Sequence, residues 1–174
     1  ALLVANHVSW LDGPLMLLTS SRPVRVLAYA GNFENRWMRR LADLFGVILL
    51  TSRPKALAAA LATAHEALKN GELVCVFPEG DITRTGQMQA FKPGMLKILH
   101  GTDVPVIPVY LDELWGSIFS FESGKFFWKW PRRGRYPISI HFGRALAEPD
   151  DVYQVRRAVQ DLGTKAVERR TRRM

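Results

Sequence analysis

The run from Asn6 to Asp12 carries two side chains that could do chemistry together. His7 leaves a short apolar segment, and Asp12 stands five residues later. Such a pair can act as a base and its orienting group, because the carboxylate fixes the imidazole tautomer and stabilises the imidazolium once a proton is taken. The spacing alone favours a plainer alternative, a loop histidine beside an aspartate that caps the next helix.

Two other chemistries fit this run poorly. Ser9 could suggest a Ser-His-Asp hydrolase, but it lies too close to His7 in sequence and lacks the G-x-S-x-G turn. A metal site needs a third ligand, and nothing nearby supplies one, so we predict no metal. The chain has a single cysteine, Cys75, which excludes an intramolecular disulfide and a cysteine-based zinc site.

A second polar run extends from Phe77 to Gly86. Its glycines permit close approach of the backbone, Thr83 supplies a hydroxyl, Arg84 a fixed cation, and Glu79 an acceptor for a substrate hydroxyl. Such a loop suits a polar, phosphorylated group. It is not a P-loop, because the G-x-x-x-x-G-K-[ST] order is missing, and a plain surface turn is an equally good interpretation of these residues alone.

The elements that must position these runs alternate between strand and helix. Apolar runs predict strands at Ala1–Ala5, Val24–Ala30, Val47–Leu50, Leu73–Phe77, Val104–Tyr110 and Ile138–Phe142. Apolar spacing and capping residues predict helices over 12–20, 33–44, 54–70 and 93–100, and a last helix from Asp150. This alternation predicts an α/β fold with a mostly parallel central sheet flanked by helices. Both polar runs would then lie at carboxyl ends of strands, where open α/β sheets bind ligands.

Composition and charge limit the function classes. The 174 residues fit a single domain over 1–174, and 48% hydrophobic with 23% charged residues excludes long disorder and collagen-like repeats. The net charge of +8 favours an anionic partner such as nucleic acid, an acidic protein or an anionic membrane. No apolar run reaches the ~18 residues of a membrane-spanning helix. The chain begins at Ala1 inside a predicted strand, so we expect a domain cut from a longer protein.

Two segments could contact a membrane. Trp115 to Tyr136 combines crowded aromatic residues with basic ones, which favours contact with a lipid interface over a core-packed excursion with a charged rim. The predicted helix over 33–44 is amphipathic, with Trp37 and two leucines at helical spacing. Its arginines, Arg36, Arg39 and Arg40, either extend a basic membrane face or form the solvated side of the helix.

The two polar runs together resemble the glycerolipid acyltransferase family. Its lysophosphatidic acid acyltransferases carry N-H-x-x-x-x-D and F-P-E-G, which stand here as Asn6-His7…Asp12 and Phe77-Pro78-Glu79-Gly80, and the later V-P-V-I-P-V run also matches the family's layout. The resemblance covers the chain up to about Phe142. The second run looks most like the acyltransferase domain of bacterial 2-acylglycerophosphoethanolamine acyltransferases, which are often fused to an acyl-acyl-carrier-protein synthetase.

The resemblance implies transfer of a fatty acyl group from a thioester to a lysophospholipid hydroxyl. His7 would be the general base and Asp12 its orienting group, while Glu79, Gly80 and Thr83 with Arg84 would hold the acceptor. The donor, acyl-coenzyme A or acyl-acyl-carrier-protein, would be a co-substrate, and no further cofactor is expected. Such an enzyme would act at the cytoplasmic face of the membrane, peripherally or as part of a larger membrane protein.

The second run departs from the family pattern after Gly80. Members specific for lysophosphatidic acid usually continue with Thr-Arg-Ser, whereas Asp81 and Ile82 stand here. Loss of a phosphate-binding arginine disfavours a phosphomonoester and makes a phosphodiester head group, such as that of lysophosphatidylethanolamine, more favourable. Arg53 matches a family arginine after the third strand, one residue out of register.

A second hypothesis is a non-catalytic module that binds lipid or nucleic acid through its basic charge. A nucleic-acid module would show a reader motif or a basic recognition helix, and neither is found, so we predict no nucleic-acid partner. The His7–Asp12 pair distinguishes the two hypotheses, because a binding module needs no base.

Overall fold

The structure, a computed structural model, describes residues 1–124, 129–130 and 136–172. Its strands are β1 (Leu2–Ala5), β2 (Val24–Tyr29), β3 (Ile48–Leu50), β4 (Leu73–Val76), β5 (Val106–Asp112) and β6 (Ser139–Phe142). Its α-helices are α1 (Asp12–Leu18), α2 (Arg36–Leu44), α3 (Pro54–Lys69), α4 (Gly94–Leu99) and α5 (Val152–Thr171). Short 3-10 turns lie at Ala30–Phe33 and Glu122–Gly124.

The strands form one six-stranded sheet in the order β3-β2-β4-β1-β5-β6. The first five strands are parallel to their neighbours, and β6 pairs antiparallel with β5 at one edge. The predicted α/β class with a mostly parallel, helix-flanked sheet is therefore confirmed. The strands could be predicted from the sequence because buried parallel strands consist of nearly continuous apolar runs.

The carboxyl ends of the central strands β1 and β4 mark where a ligand-binding site is expected. They pair in register, with Leu3 opposite Cys75 and Val4 opposite Val76, so their carboxyl ends lie side by side. The chain leaves β1 towards β2 on one side and leaves β4 towards β5 on the other. Such a change of direction opens a crevice outside the carboxyl ends of the strands, where ligands bind in open α/β sheets.

Alternate residues of β1 pack into two separate hydrophobic cores, one on each face of the sheet. Leu2 and Val4 pack in the core that α3, α4 and α5 form on one face of the sheet. Leu3 and Ala5 pack in the core on the other face, where Met16 of α1 is fully buried. This alternation, which follows from the two-residue repeat of a strand, holds the carboxyl end of β1 rigidly between two packed layers.

Helix α2 contributes no side chain to either core cluster within the described part of the chain. Asn35 caps it by accepting a hydrogen bond from the Trp37 N–H, yet Ala42 is its only buried residue. Trp37 remains 65% exposed and Leu44 76% exposed. An amphipathic helix normally buries its apolar side, so this helix departs from the usual outcome of its pattern.

None of the helices within the described ranges is both long and apolar enough to cross a bilayer.

Candidate active site

His7, in the loop that follows β1, meets Asp12, the first residue of α1. The His7 Nδ1 atom lies 2.8 Å from the Asp12 Oδ2 atom, and the His7 side chain is 20% exposed while Asp12 is fully buried. Because a carboxylate can only accept, Nδ1 is the donor of this bond, and in the neutral imidazole Nε2 is then the nitrogen with the free lone pair. The geometry is that of a histidine base oriented by a carboxylate.

Asp12 organises the whole loop around its carboxylate. Its Oδ2 atom also accepts hydrogen bonds from the N–H groups of Val8 at 2.6 Å and Ser9 at 2.9 Å, and its Oδ1 atom accepts from the Ser9 hydroxyl at 2.7 Å. The expected helix-capping role is wrong, because Leu11 is the N-cap of α1 and makes no side-chain cap bond. The carboxylate turns back to the loop instead of forward to the helix.

Glu79 joins the two polar runs. Its Oε1 atom accepts the His7 N–H at 2.7 Å, and its Oε2 atom accepts the Gln89 N–H at 2.7 Å. The residue is 3% exposed, and this burial raises the pKa of its carboxyl while the two N–H bonds partly offset the effect. Contact of Glu79 with an acceptor hydroxyl stays a prediction, since the structure shows the carboxylate holding backbone.

Two further contacts fix the second loop against His7. The Phe77 ring stacks on the His7 imidazole, with 4.4 Å between centroids and 22° between planes. The Thr83 N–H donates to the His7 carbonyl at 2.9 Å, and the buried Thr83 hydroxyl donates to the Gln87 carbonyl at 2.7 Å. Thr83 is therefore a tie between the loops, and its predicted substrate contact remains untested.

Gly80 lies directly under the side chain of Lys92. The residue has φ +75°, and a Cβ atom there would collide with the end of the Lys92 side chain. Lys92 is exposed, its N–H donates to the Pro78 carbonyl at 2.8 Å, and its ammonium pairs with no carboxylate in the described ranges. Sequence reasoning missed Lys92, because twelve residues separate it from Gly80 and only the fold brings them together.

Arg84 is held over an aromatic ring. Its guanidinium carbon lies 4.4 Å from the centroid of Phe121, a residue of the segment after β5, and the side chain remains exposed. A stacked guanidinium keeps its N–H edge available to an anion. The Trp115 ring, from the same segment, covers Gly86 so closely that a Cβ atom there would clash.

The described part of the aromatic segment therefore packs on the site. Ser120 bridges to Ser9, and the Phe119 carbonyl accepts the Trp10 N–H at 3.0 Å. Trp130 is the exception, at 94% exposed. The remaining aromatic and basic residues on which membrane contact was predicted lie outside the described residues: Lys125, Phe126, Phe127, Trp128, Arg132, Arg133 and Arg135.

Arg53 lies at the same edge of the sheet but away from His7. It is the exposed residue before α3, and among described residues its side chain makes no bond to either loop. Its strand, β3, stands three positions from β1, which is roughly 14 Å at the usual strand spacing. The structure does not bring Arg53 together with His7 or Glu79.

Two other kinds of site find no support within the described residues. No group of three or more metal-ligating side chains occurs there. Cys75 is fully buried in β4, and burial raises the pKa of its thiol well above the usual range, so it packs as a small apolar residue and not as a nucleophile.

Known proteins that are similar to this chain point to one family. The family model described as Acyltransferase matches residues 1–112. A probable 1-acyl-sn-glycerol-3-phosphate acyltransferase of Mycoplasma pneumoniae is 31% identical over 130 residues, which cover 71% of this chain and 47% of that protein. The 1-acyl-sn-glycerol-3-phosphate acyltransferase of Borreliella burgdorferi is 27% identical over 63% of this chain and 44% of its own length. The chain thus spans about half the length of these curated relatives.

A solved structure shows the same fold. The crystal structure of the 1-acyl-sn-glycerophosphate (LPA) acyltransferase PlsC from Thermotoga maritima matches 98% of this chain and 66% of that chain, with a TM-score of 0.69 and 24% identity. The family match includes β1, β4 and both loops that they carry. The family match and the Mycoplasma pneumoniae relative confirm the resemblance of the two motifs, and the chain belongs to the glycerolipid acyltransferase family.

Proposed function

We propose that the chain transfers a fatty acyl group from a thioester to the free hydroxyl of a lysophospholipid, with His7 as general base. Family membership supports acyl transfer to a lysophospholipid. The observation that carries the mechanism is the 2.8 Å contact between His7 Nδ1 and Asp12, which leaves Nε2 as the basic nitrogen. The mechanism requires neither metal nor cofactor beyond the acyl donor.

The reaction follows from this geometry. Nε2 takes the proton of the acceptor hydroxyl while the hydroxyl oxygen attacks the thioester carbonyl, and a tetrahedral oxyanion forms. The buried Asp12 carboxylate stabilises the imidazolium. When the C–S bond breaks, the imidazolium returns the proton to the leaving thiolate. A positioned base of this kind contributes about 10²- to 10⁴-fold to the rate.

Oxyanion stabilisation needs donors that are free. The N–H groups of His7, Val8 and Ser9 are bound to the carboxylates of Glu79 and Asp12. In the second loop, the N–H groups of Gly80 and Thr83 are bound to backbone carbonyls. None of these five groups can serve the oxyanion without breaking the loop, so we assign that role to groups outside this set.

Lys92 and Arg84 are the cations that we assign to the acceptor's phosphate. Both are exposed beside the loop, and Arg84 is oriented by the Phe121 ring. Ile82 and the neighbouring Asp81 occupy the place where a third cation would favour a doubly charged phosphate. This balance favours a phosphodiester head group, and we propose lysophosphatidylethanolamine ahead of lysophosphatidic acid as the acceptor. Arg53 could reach only a more distant part of a substrate.

The donor is acyl-coenzyme A or acyl-acyl-carrier-protein. Both are anionic, and the chain's charge of +8 favours association with either. The acceptor resides in a lipid phase, so we propose that the chain works against the cytoplasmic surface of a membrane.

The test is a transfer assay with the purified chain. Lysophosphatidylethanolamine and lysophosphatidic acid are each offered with coenzyme A and acyl-carrier-protein thioesters. We expect transfer that falls about 10²- to 10⁴-fold in His7→Gln and is unchanged in His100→Gln, which alters an exposed histidine after α4. Undiminished transfer in His7→Gln contradicts the mechanism. Lysophospholipid binding without transfer, for every donor, would favour the non-catalytic module.

A further inference from the structure

Helix α2 presents an apolar edge that the described protein does not cover. Trp37 is 65% exposed and Leu44 76% exposed, and Phe45, the residue after the helix, is also exposed. The helix packs mainly against the 3-10 turn that precedes it. Large apolar side chains grouped in this way mark a surface that binds a partner.

Basic residues adjoin this apolar edge. Trp37 and Leu44 are seven residues apart, which places them two turns apart on the same side of the helix. At 100° per residue, Arg40 and Arg36 lie next to that side, and Arg39 lies farther round the helix. Asp43 is the helix's one acidic residue. Asp43 is seven residues after Arg36, so it lies on the same side of the helix as that arginine. The surface therefore pairs an aromatic and aliphatic edge with three arginines and one aspartate.

This combination fits an anionic lipid interface better than a protein core. Tryptophan favours the head-group level of a bilayer, and each arginine near an anionic surface contributes about 1 kcal/mol of attraction. The position of the helix agrees, because α2 follows the carboxyl end of β2, two strands and roughly 10 Å from β1. His7 leaves β1 at the same edge of the sheet.

We propose that α2 is the face by which the chain rests on an anionic phospholipid bilayer. Trp37, Leu44 and Phe45 enter the head-group region, and the arginines contact lipid phosphates. The proposal deepens the proposed function, since it names the surface that brings the site to its lipid acceptor. It also differs from the sequence-based prediction for the segment from Trp115 to Tyr136, whose described part packs largely on the loops.

The experiment is co-sedimentation of the chain with vesicles, without any acyl donor. Phosphatidylcholine vesicles are compared with vesicles that contain phosphatidylglycerol. We expect binding to the anionic vesicles that falls about fivefold for each arginine removed, and so roughly 25-fold in the double variant Arg36→Gln with Arg40→Gln. Trp37→Ser with Leu44→Ser should reduce binding at least tenfold on both kinds of vesicle, because about two buried apolar side chains are lost.

Matched variants on α5 provide the controls. Arg157→Gln with Arg169→Gln removes the same charge, and Tyr153→Ser with Val167→Ser removes exposed apolar side chains of similar kind. Both should bind anionic vesicles within about twofold of the original chain at constant salt, since charge close to the membrane dominates within a Debye length. Equal losses from α5 and α2 would overturn the proposal.

A second copy of the chain is the rival occupant. Sedimentation velocity without lipid decides this, because a dimer that Trp37→Ser with Leu44→Ser converts to monomer would assign the face to self-association and overturn the proposal. The result is separable from that of the proposed function. Transfer to a lysophospholipid in detergent micelles should persist in the α2 variants, so failure of transfer and failure of vesicle binding are observed independently.

Discussion

The loop after β1 and helix α2 use similar residue types in opposite ways. Against the loop, Asp12 at the start of α1 is fully buried and accepts four hydrogen bonds from the loop residues His7, Val8 and Ser9. In α2, the charged residues are exposed and so are Trp37 and Leu44. The first region buries a charged carboxylate among hydrogen-bond donors, whereas the second region exposes apolar side chains to solvent.

The difference shows how one chain separates fixed geometry from surface contact. A buried carboxylate is tolerated only when donors replace its water, and those donors then hold the loop in a single arrangement. An exposed helix with one buried alanine adds little to the free energy of unfolding, so its residues are free to serve a partner. Changes in the loop should therefore alter rate and stability, while changes in α2 should leave both unaltered.

The sharpest form of this comparison is a pair of identical substitutions, Asp12→Asn and Asp43→Asn. In Asp12→Asn the new amide has one acceptor oxygen where four donors converge, and it no longer fixes the imidazole tautomer. We expect kcat to fall about 10²- to 10⁴-fold and the free energy of unfolding to fall by about 1–3 kcal/mol. Asp43 is exposed on α2, so Asp43→Asn should change neither quantity.

Transfer assays and denaturant unfolding of the two variants check this prediction. A near-normal kcat in Asp12→Asn would contradict the prediction that Asp12 orients the His7 imidazole.

A second pair compares methionines in two helices. Met16 of α1 is fully buried against the sheet, whereas Met38 of α2 is 40% exposed. We expect Met16→Ala to lower the free energy of unfolding by about 2–5 kcal/mol, because a cavity remains in the core. Met38→Ala should lower it by less than about 1 kcal/mol. Urea unfolding measures both, and a similar loss in the two variants would show that α2 is packed more firmly than its exposure indicates.

Glu79 offers a pH-dependent test of the tie between the loops. In Glu79→Gln one of the two backbone N–H groups faces an amide NH₂, so we expect a loss of about 1–3 kcal/mol in the free energy of unfolding. Glu34→Gln, an exposed control just before α2, should show no loss.

The sign of the pH effect follows from the pKa. Burial raises the pKa of Glu79 in the folded chain above its unfolded value near 4.5. The folded state therefore holds this proton more tightly, and the destabilisation caused by the ionised carboxyl is full at neutral pH and is relieved as the pH falls through the folded pKa. The glutamine variant does not titrate and lacks this relief. The stability difference between the original chain and Glu79→Gln should grow as the pH falls from neutral towards the unfolded pKa near 4.5, and a shrinking difference contradicts the assignment.

Local patterns were enough to predict much of this molecule. The apolar runs predicted the six strands that the described residues form, and the resemblance to the family paired His7 with Asp12. Neither predicted the direction of the Asp12 carboxylate, because a helix cap and a loop acceptor require the same residue at the same place. The sequence also did not predict that Trp37 is exposed. An amphipathic pattern shows that a helix has an apolar and a polar side, but it does not show what packs against the apolar side.

Contacts between segments that are distant in sequence could not be predicted, for a different reason. The stacking of Phe121 under Arg84 and the tie from Glu79 to Gln89 depend on how loops from separate strands settle on one another. Spacing rules describe neighbours along a helix or strand and contain no information on such pairs.

Lys92 gives the smallest and most specific test, because it combines a place at the site with the exposure typical of α2. We expect Lys92→Gln to raise KM for the lysophospholipid by up to about fivefold with kcat unchanged, since an exposed ion pair contributes only about 0.2–1 kcal/mol. Lys92→Arg should restore KM, and Lys97→Gln, which removes an exposed cation from α4, should leave it unaltered. Steady-state kinetics on micellar acceptor separates these outcomes. A fall in kcat with constant KM would contradict this prediction, because Lys92 would then act on the rate, as His7 and Asp12 do. An exposed side chain would in that case contribute to catalysis, and exposure would no longer distinguish groups that bind from groups that set the rate.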